Sequence, residues 1–131
     1  MIVLDTHALI WWVGGSRLLA RTAAGRIEKA RHGPGIVVSS ISAWELALLT
    51  KRGRLDLSMD IRAWLEQVRR IDGVRFQPVT DVIAVESVEL PGELHDDPAD
   101  RIIVATARSL NATLITKDQR IRSYPHVKSS W

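Results

Sequence analysis

Two kinds of apolar pattern follow one another along the chain, short β-branched runs and longer segments with helical spacing. The short runs predict strands, and the longer segments, in which apolar positions recur every three or four residues, predict helices. The predicted strands are 2–4, 36–38, 74–77, 113–115 and 126–128, and the predicted helices lie near 6–13, 18–31, 42–52, 60–71, 81–90 and 98–110. Strands that alternate with helices in this way indicate an α/β fold with a mainly parallel sheet.

The last long helix is preceded by an acidic stretch, which reads HDDPADRIIVAT over residues 95–106. Asp97 is predicted to be the N-cap of this helix, because its carboxylate can accept from free backbone N–H groups and Pro98 suits the first helical position. Asp100 is explained less well by capping, since Glu or Gln is the side chain that reaches back in a capping box. Asp100 is therefore a candidate for another role.

The composition is that of a soluble globular protein. With 131 residues, 46% hydrophobic and 25% charged, the chain is expected to form one domain over residues 1–131. No apolar run is long enough to span a membrane, and the N-terminus lacks the basic segment that begins a signal peptide. The absence of cysteine excludes disulfides and thiolate metal sites, and it fits a cytoplasmic location.

Basic residues are clustered, and the formal net charge is +3. The clusters lie at 17–32, 51–54 and 69–70. A positive surface of this kind suits a polyanion such as nucleic acid. Solvated helix faces would explain the same clusters, so charge alone does not decide between the two interpretations.

Three acidic residues follow the predicted strands at the end where parallel sheets bind ligands. Asp5 comes directly after the first strand, Glu45 lies in the helix after the second, and Asp118 comes just after the fourth. Asp100 joins them if the chain enters its helix from the same side of the sheet, which the loop at 90–98 permits.

Each acid taken alone can be explained as a helix cap, with Glu45 completing a capping box with Ser42. Four carboxylates at one edge, however, repel each other and raise each other's pKa unless a cation is bound. Mg²⁺ and Mn²⁺ take oxygen ligands of this type. The constellation therefore predicts a site for Mg²⁺ or Mn²⁺.

Four stretches of the sequence resemble those of PIN-domain ribonucleases, and most of all the VapC-type toxins of bacterial toxin–antitoxin pairs. They are spread in order over nearly the whole chain and read MIVLDTHALIWW, SSISAWELALLTKRGRL, HDDPADRIIVATA and LITKD. The resemblance implies a three-layer α/β/α PIN-like fold, a homodimer and a cognate antitoxin that neutralises the protein.

The same resemblance assigns residues and a reaction. It matches Asp97 to a helix-start position and Thr116 to a position that supports the site, and the catalytic and metal-binding residues that it implies are Asp5, Glu45, Asp100 and Asp118. The implied activity is that of an endoribonuclease toxin of a type II toxin–antitoxin system, which hydrolyses RNA phosphodiesters with a metal-activated water. Glu45 would either ligate through water or help to deprotonate the nucleophile, and the sequence leaves both roles open.

Histidine and tryptophan residues lie close to the acids in sequence. His7 is expected to pack near Trp11 on a helix face, and His95 is expected to lie in a loop outside the site. Trp11 and Trp12 are adjacent and so cannot share a helix face. Either one is in the core and the other at a subunit or antitoxin contact, or both are partly buried core residues.

Two other functions fit parts of the sequence. Asp5 followed by Thr6 is similar to the phospho-acceptor of haloacid-dehalogenase-like phosphatases, although His7 stands where those enzymes have a second aspartate. A phosphatase or phosphotransfer domain does not predict an acid at Glu45. A non-catalytic RNA-binding or interaction domain, in which all the acids are helix caps, is the other alternative.

Overall fold

A computed structural model describes residues 1–131, which form one five-stranded sheet with helices on both faces. The elements in chain order are β1 Ile2–Leu4, α1 Thr6–Val13, α2 Arg21–Arg31, β2 Ile36–Ser39, α3 Ser40–Lys51, α4 Ile61–Arg69, β3 Val74–Gln77, α5 Asp81–Val88, α6 Pro98–Ser109, β4 Thr113–Ile115, α7 Gln119–Arg122 and β5 Ser129–Ser130. The strand order is β3-β2-β1-β4-β5, and every neighbouring pair is parallel. The predicted α/β fold is confirmed, and the sheet is parallel throughout.

Apolar side chains from the sheet pack into two clusters, one on each face. Successive strand residues point to opposite faces, so Ile2 and Leu4 of β1 belong to one cluster and Val3 belongs to the other. Helices α1 to α4 cover the first cluster, which includes Leu9, Ile27, Leu46, Trp64 and Val68, and α5, α6 and α7 cover the second, which includes Ile83, Ile103, Val104 and Ile121. The three-layer α/β/α arrangement is therefore confirmed.

Burial on both faces explains why the strands are apolar throughout instead of alternating. Residues of β1 and β2 are buried along their whole lengths. No helix is long and apolar enough to cross a bilayer.

Helix starts agree with the sequence at Asp97 and differ from it at α3. Asp97 is the N-cap of α6, because its Oδ1 accepts from the Asp100 N–H at 2.9 Å. Helix α3 begins at Ser40, and its N-cap is Ser39, whose Oγ accepts from the Ile41 N–H at 3.2 Å. The capping box between Ser42 and Glu45 is therefore wrong, since Ser42 already lies inside the helix.

Two other boundaries differ because a local hydrogen bond or a packing contact replaces the expected element. Helix α2 begins at Arg21 and not at 18, since Ser16 Oγ accepts from the Leu18 N–H at 3.1 Å in a preceding turn. The fifth strand is Ser129–Ser130 and not 126–128. Val127 supplied the apolar signal, but it packs against the second cluster from a turn instead of pairing with β4.

The connection through α6 sets the position of Asp100. Since α6 leads into the start of β4, the carboxyl end of α6 lies near the amino ends of the parallel strands. Its amino end, which carries Asp100 in the first turn, therefore lies at the edge where β1 and β4 end. Asp5, Asp100 and Asp118 all reach this edge.

Candidate active site

Asp5 is the buried centre of the acidic group, with 3% of its surface exposed. Its Oδ1 accepts from the Thr6 N–H at 2.8 Å, so it caps α1. Its Oδ2 accepts from the Thr116 hydroxyl at 2.6 Å. Both carboxylate oxygens are thus held in place before any ligand binds.

Thr6 joins Asp5 to Glu45. The Thr6 hydroxyl donates to Glu45 Oε1 at 2.6 Å and lies 2.8 Å from Ser42 Oγ. Because the single hydroxyl proton of Thr6 goes to the carboxylate, Ser42 must donate to Thr6. The buried Ser42 therefore fixes the rotamer of the threonine that orients Glu45.

Thr116 joins Asp5 to Asp118. Its hydroxyl donates to Asp5 and accepts from the Asp118 N–H at 3.0 Å, and the residue is completely buried. Asp118 in turn caps α7, since its Oδ1 accepts from the Arg120 N–H at 2.9 Å. Thr116 thus contacts two of the acids that it was predicted to support.

Asp100 is connected to the group by two cationic or protonatable side chains. Its Oδ2 lies 2.7 Å from His95 Nε2. The Arg120 guanidinium lies 3.0 Å from Asp118 Oδ2 and 3.8 Å from Asp100 Oδ2. One ligand atom from each of His95, Asp100 and Asp118 falls within 4.8 Å of the others. All four predicted acids are therefore brought to one edge of the sheet, while their roles in catalysis and metal binding stay predictions.

Burial raises the pKa of Glu45 from 4.5 to about 7. The hydrogen bond from Thr6 opposes this shift, and the carboxylates of Asp5, Asp100 and Asp97 add to it. The neighbouring charges disfavour ionisation because no cation of the protein lies against Glu45. Near neutral pH, this carboxyl group is consequently divided between its protonated and ionised forms.

Asp100 and Asp118 differ in how their charge is compensated. Burial raises the pKa of Asp100, against the effect of its hydrogen bond with His95. Burial also disfavours ionisation of Asp118, but the hydrogen bonds and charge of Arg120 outweigh it and lower the pKa of that carboxyl. Arg120 therefore compensates the charge of Asp118 more fully than His95 compensates that of Asp100.

The donor atoms fit a hard divalent cation. Carboxylate oxygens of Asp100 and Asp118 lie within 4.8 Å of each other, and hydrogen bonds of Thr116 and Thr6 link Asp118 to Asp5 and Asp5 to Glu45. Oxygen is the ligand that Mg²⁺ and Mn²⁺ prefer. Burial is the main cause of the raised pKa values of Glu45 and Asp100, and neighbouring carboxylates add to both, so each group would ionise more easily beside positive charge. A bound cation would supply that charge.

Sequence reasoning did not select Thr6, His95 or Arg120. Thr6 follows Asp5 directly. Its position just after the first strand was the only feature of the sequence that could have indicated a role in the site. His95 lies in a loop, as expected. This loop brings the His95 ring into contact with Asp100, which is five residues later in the chain. Neither periodicity nor a capping rule predicts that contact.

Arg101 fastens this loop to α6. Its guanidinium donates to the carbonyl oxygens of Ser87 at 2.9 Å, Leu94 at 2.8 Å and Val88 at 3.3 Å. These acceptors include the end of α5, whose last carbonyls have no partner within the helix. Arg101 thereby holds in place the segment that carries His95.

His7 packs against Trp11, as predicted, with ring centroids 5.1 Å apart. Its Nε2 accepts from the Lys117 N–H at 3.0 Å. In the neutral ring the proton therefore lies on Nδ1, which is 3.6 Å from Asp5 Oδ2. His7 connects the loop after β4 to the start of α1.

Comparison with known proteins agrees with this geometry. The family model of the PIN domain matches residues 2–127. The chain belongs to the PIN domain family. It is also 37% identical over 125 residues to Ribonuclease VapC22 of Mycobacterium tuberculosis (strain ATCC 25618 / H37Rv), an alignment that covers 95% of this chain and 92% of the relative. The resemblance to PIN-domain and VapC-type proteins is thus confirmed.

Solved structures show the same PIN fold at lower sequence identity. VapBC2 from Rickettsia felis, bound to a DNA fragment from its promoter, superposes with a TM-score of 0.71 at 18% identity, over 99% of this chain and 98% of the other. A toxin–antitoxin complex from Klebsiella pneumoniae gives a TM-score of 0.65 at 24% identity, over 97% and 95%. These similarities concern the fold.

Proposed function

We propose that this PIN-domain protein is a metal-dependent endoribonuclease of the VapC type, the toxin of a type II toxin–antitoxin system. The observation that carries the proposal is the linked group of Asp5, Glu45, Asp100 and Asp118 at the carboxyl edge of the sheet. The 37% identity to a ribonuclease over nearly the whole chain supports it. In this proposal the single PIN domain is residues 1–131, and it acts in the cytoplasm, where its RNA substrate is found.

Mg²⁺ or Mn²⁺ would be held by Asp5 and Asp100, with Asp118 and Glu45 completing the carboxylate set. Such an ion, when bound, lowers the pKa of a water molecule and stabilises charge that develops on phosphate. The preorganised oxygens of Asp5 suit an inner ligand, because Thr6 and Thr116 already fix their direction. One ion or two would both satisfy this donor set.

In this proposal Glu45 accepts a proton from the attacking water. Its Oε1 is occupied by the Thr6 hydroxyl, so Oε2 is the oxygen available for proton transfer. This supports the deprotonating role for Glu45 over a purely structural one.

Cationic side chains near the acids would bind the substrate phosphates. Arg120 is exposed and already pairs with Asp118, and a guanidinium can also pair with two oxygens of a phosphate. The basic clusters noted in the sequence lie mostly at exposed positions on helices and in the turns beside them, and they would add affinity that depends on salt.

The geometry disfavours a phosphatase that uses Asp5 as nucleophile. Asp5 is almost completely buried, and both of its oxygens accept hydrogen bonds. His7, which stands at the position of a second catalytic aspartate, uses Nε2 to accept a backbone N–H. Each Asp5 oxygen keeps a lone pair that can bind a cation, but nucleophilic attack would need an exposed oxygen and a general acid in place of His7.

Cleavage of a labelled RNA by the purified protein tests the proposal. We expect cleavage with Mg²⁺ or Mn²⁺, none with EDTA, and none by Asp100→Asn with either metal. The control variant Asp72→Asn makes the same change at an exposed turn and should cleave like the wild type. Hydrolysis of a small phosphomonoester without RNA cleavage would favour the phosphatase, and RNA binding without hydrolysis would favour a non-catalytic RNA-binding domain.

An antitoxin is the proposed protein partner. The toxin–antitoxin complex from Klebsiella pneumoniae shares the fold. The position of Arg120 shows that a guanidinium can lie between the carboxylates, and an arginine of the antitoxin would bind them in the same manner. Co-purification with the product of the adjacent gene, followed by gel filtration, tests this. Two separate peaks at micromolar concentration would argue against the partner.

A homodimer is also proposed, and the surface of α5 supports it. Val82, Val85 and Val88 are three residues apart and 58%, 56% and 77% exposed. They form an apolar stripe on a helix whose other side, with Ile83, packs on the sheet layer. Light scattering should give a dimer mass for the wild type and a monomer mass for Val85→Glu. A monomeric wild type would contradict the proposal.

A further inference from the structure

Three aromatic rings meet beside the acidic group. The His7, Trp11 and Trp131 centroids are separated by 5.1 Å between His7 and Trp11, 5.7 Å between the two indoles, and 5.9 Å between His7 and Trp131. These distances are those of packed aromatic pairs. Residue 131 thus returns to the helix that follows the first strand, although the two are far apart in sequence.

Trp11 is not part of either core cluster. The adjacent Trp12 packs against the first cluster, and so does Trp131 on one side. Trp11 is half-buried and instead lines a cleft of about 400 Å³ together with His7, Lys117, Asp118 and Arg120. The two indoles of α1 therefore have different environments, and the core does not require an indole at Trp11.

The cleft is continuous with the proposed catalytic carboxylates. Asp118 forms part of its wall, and His7 Nδ1 lies 3.6 Å from Asp5 Oδ2. A group that lies on Trp11 would consequently be next to the acids.

Positive charge lies beside the ring. Lys117 Nζ lies 5.6 Å from the centre of the Trp11 ring, and the exposed side chain of Arg120 lines the same cleft. An aromatic face flanked by cations beside a polar site is the combination that proteins use for single-stranded nucleic acid, since every base can stack on the ring while the cations bind the backbone. Paired bases in a duplex have no free face to offer.

We propose that Trp11 is the floor of a nucleobase subsite, in which an unpaired base next to the scissile phosphate stacks on the indole. Lys117 exchanges its contact with the ring for the phosphate that joins this base to its neighbour. Trp131 supports the indole from behind, because it packs on both Trp11 and the core. This inference rests on the proposed ribonuclease function and adds a residue that contacts a base of the substrate.

Binding of a short fluorescent single-stranded RNA, measured by anisotropy in EDTA, tests the subsite without cleavage. Stacking on an aromatic side chain contributes about 1–3 kcal/mol per base, so Trp11→Leu should weaken binding roughly 5- to 150-fold. Trp11→Phe keeps an aromatic face and should recover part of the affinity. Trp12→Leu removes the neighbouring indole of the same helix and should bind like the wild type. Melting curves establish that each variant is folded.

An abasic scan adds a readout that a loss of packing cannot imitate. In this scan a single base is removed at successive positions of the RNA. One position should weaken binding to the wild type by the same factor as Trp11→Leu, and removal of that base should have little further effect on Trp11→Leu. Equal affinity of the wild type and Trp11→Leu, or an abasic scan with no sensitive position, would overturn the inference.

The cleavage assay separates this inference from the proposed function. RNA cleavage by the wild type that is unchanged in Trp11→Leu would retain the ribonuclease and refute the subsite. Base-dependent binding that requires Trp11, in a protein that hydrolyses no RNA with Mg²⁺ or Mn²⁺, would retain the subsite and refute the ribonuclease.

Discussion

Replacing Glu45 with glutamine should make the metal-free protein more stable at alkaline pH than the wild type. The pKa of Glu45 is raised from 4.5 to about 7, first by burial and then by the neighbouring carboxylates. The folded state therefore holds a proton on Glu45 over a range of pH in which the unfolded chain has lost it. The stabilisation is fully present below about pH 4.5 and is lost as the pH rises through about 7.

The expected size follows from the difference between these two pKa values. At 1.36 kcal/mol for each pKa unit, the rise from 4.5 to about 7 gives an upper bound of about 3 kcal/mol. Glu45 is only half-buried, so solvent screening reduces the effect, and we expect about 1–2 kcal/mol. Glutamine has the same shape, can still accept from the Thr6 hydroxyl, and stays neutral at every pH.

Urea denaturation in EDTA at about pH 5 and about pH 8 measures the effect. The free energy of unfolding of the wild type should fall between the two pH values by about 1–2 kcal/mol more than that of Glu45→Gln. Glu86→Gln makes the same change at an exposed position on α5 and should follow the wild type. If the free energies of unfolding of Glu45→Gln and the wild type differ by the same amount at both pH values, folding does not raise the pKa of Glu45.

Three further predictions concern the same edge of the sheet. Asp97→Asn should keep the cap of α6, while Asp97→Ala should lose about 1 kcal/mol of unfolding free energy. If the two variants lose the same free energy of unfolding, the side-chain oxygen at position 97 does not stabilise the helix start. Mg²⁺ or Mn²⁺ at a hundredfold excess over Kd should stabilise the wild type by about 2.7 kcal/mol, and Asp100→Asn should lose most of this gain. If the melting temperature of the wild type does not change with metal, the predicted metal site is wrong. Arg101→Lys should lose at least about 2 kcal/mol of unfolding free energy, because lysine cannot donate to three carbonyl groups at once. An unchanged free energy of unfolding in urea would contradict the proposed role of Arg101 in holding the loop.

The sequence was sufficient for the features that depend on local pattern. β-branched runs located the first four strands, and the parallel arrangement then placed Asp5 and Asp118 at one edge of the sheet. The cap at Asp97 could be predicted because Asp followed by Pro is typical of a helix start. The same type of rule failed at Ser42, since an acceptable cap was already present three residues earlier at Ser39.

Contacts between distant parts of the chain could not be predicted from the sequence. The contact between His95 and Asp100 depends on the path of a loop that Arg101 fastens by hydrogen bonds to backbone carbonyls. Since every residue offers such a carbonyl, no residue type marks the acceptors. Trp131 gave no signal at the end of the chain, and its contact with Trp11 exists only because β5 extends the sheet beyond β4.

The use of aspartates both as helix caps and as site acids has a consequence for genetics. Asp5 and Asp118 each give one carboxylate oxygen to a helix start, and asparagine keeps that oxygen while it removes the charge. Asparagine arises from either aspartate codon by a single G-to-A transition. If cells are selected for escape from the proposed toxicity, survivors with abundant, full-length protein should be enriched in asparagine at these positions, and survivors with other residues there should contain less of the protein. The coupling of cap and charge would thus be visible as a bias in the spectrum of spontaneous alleles.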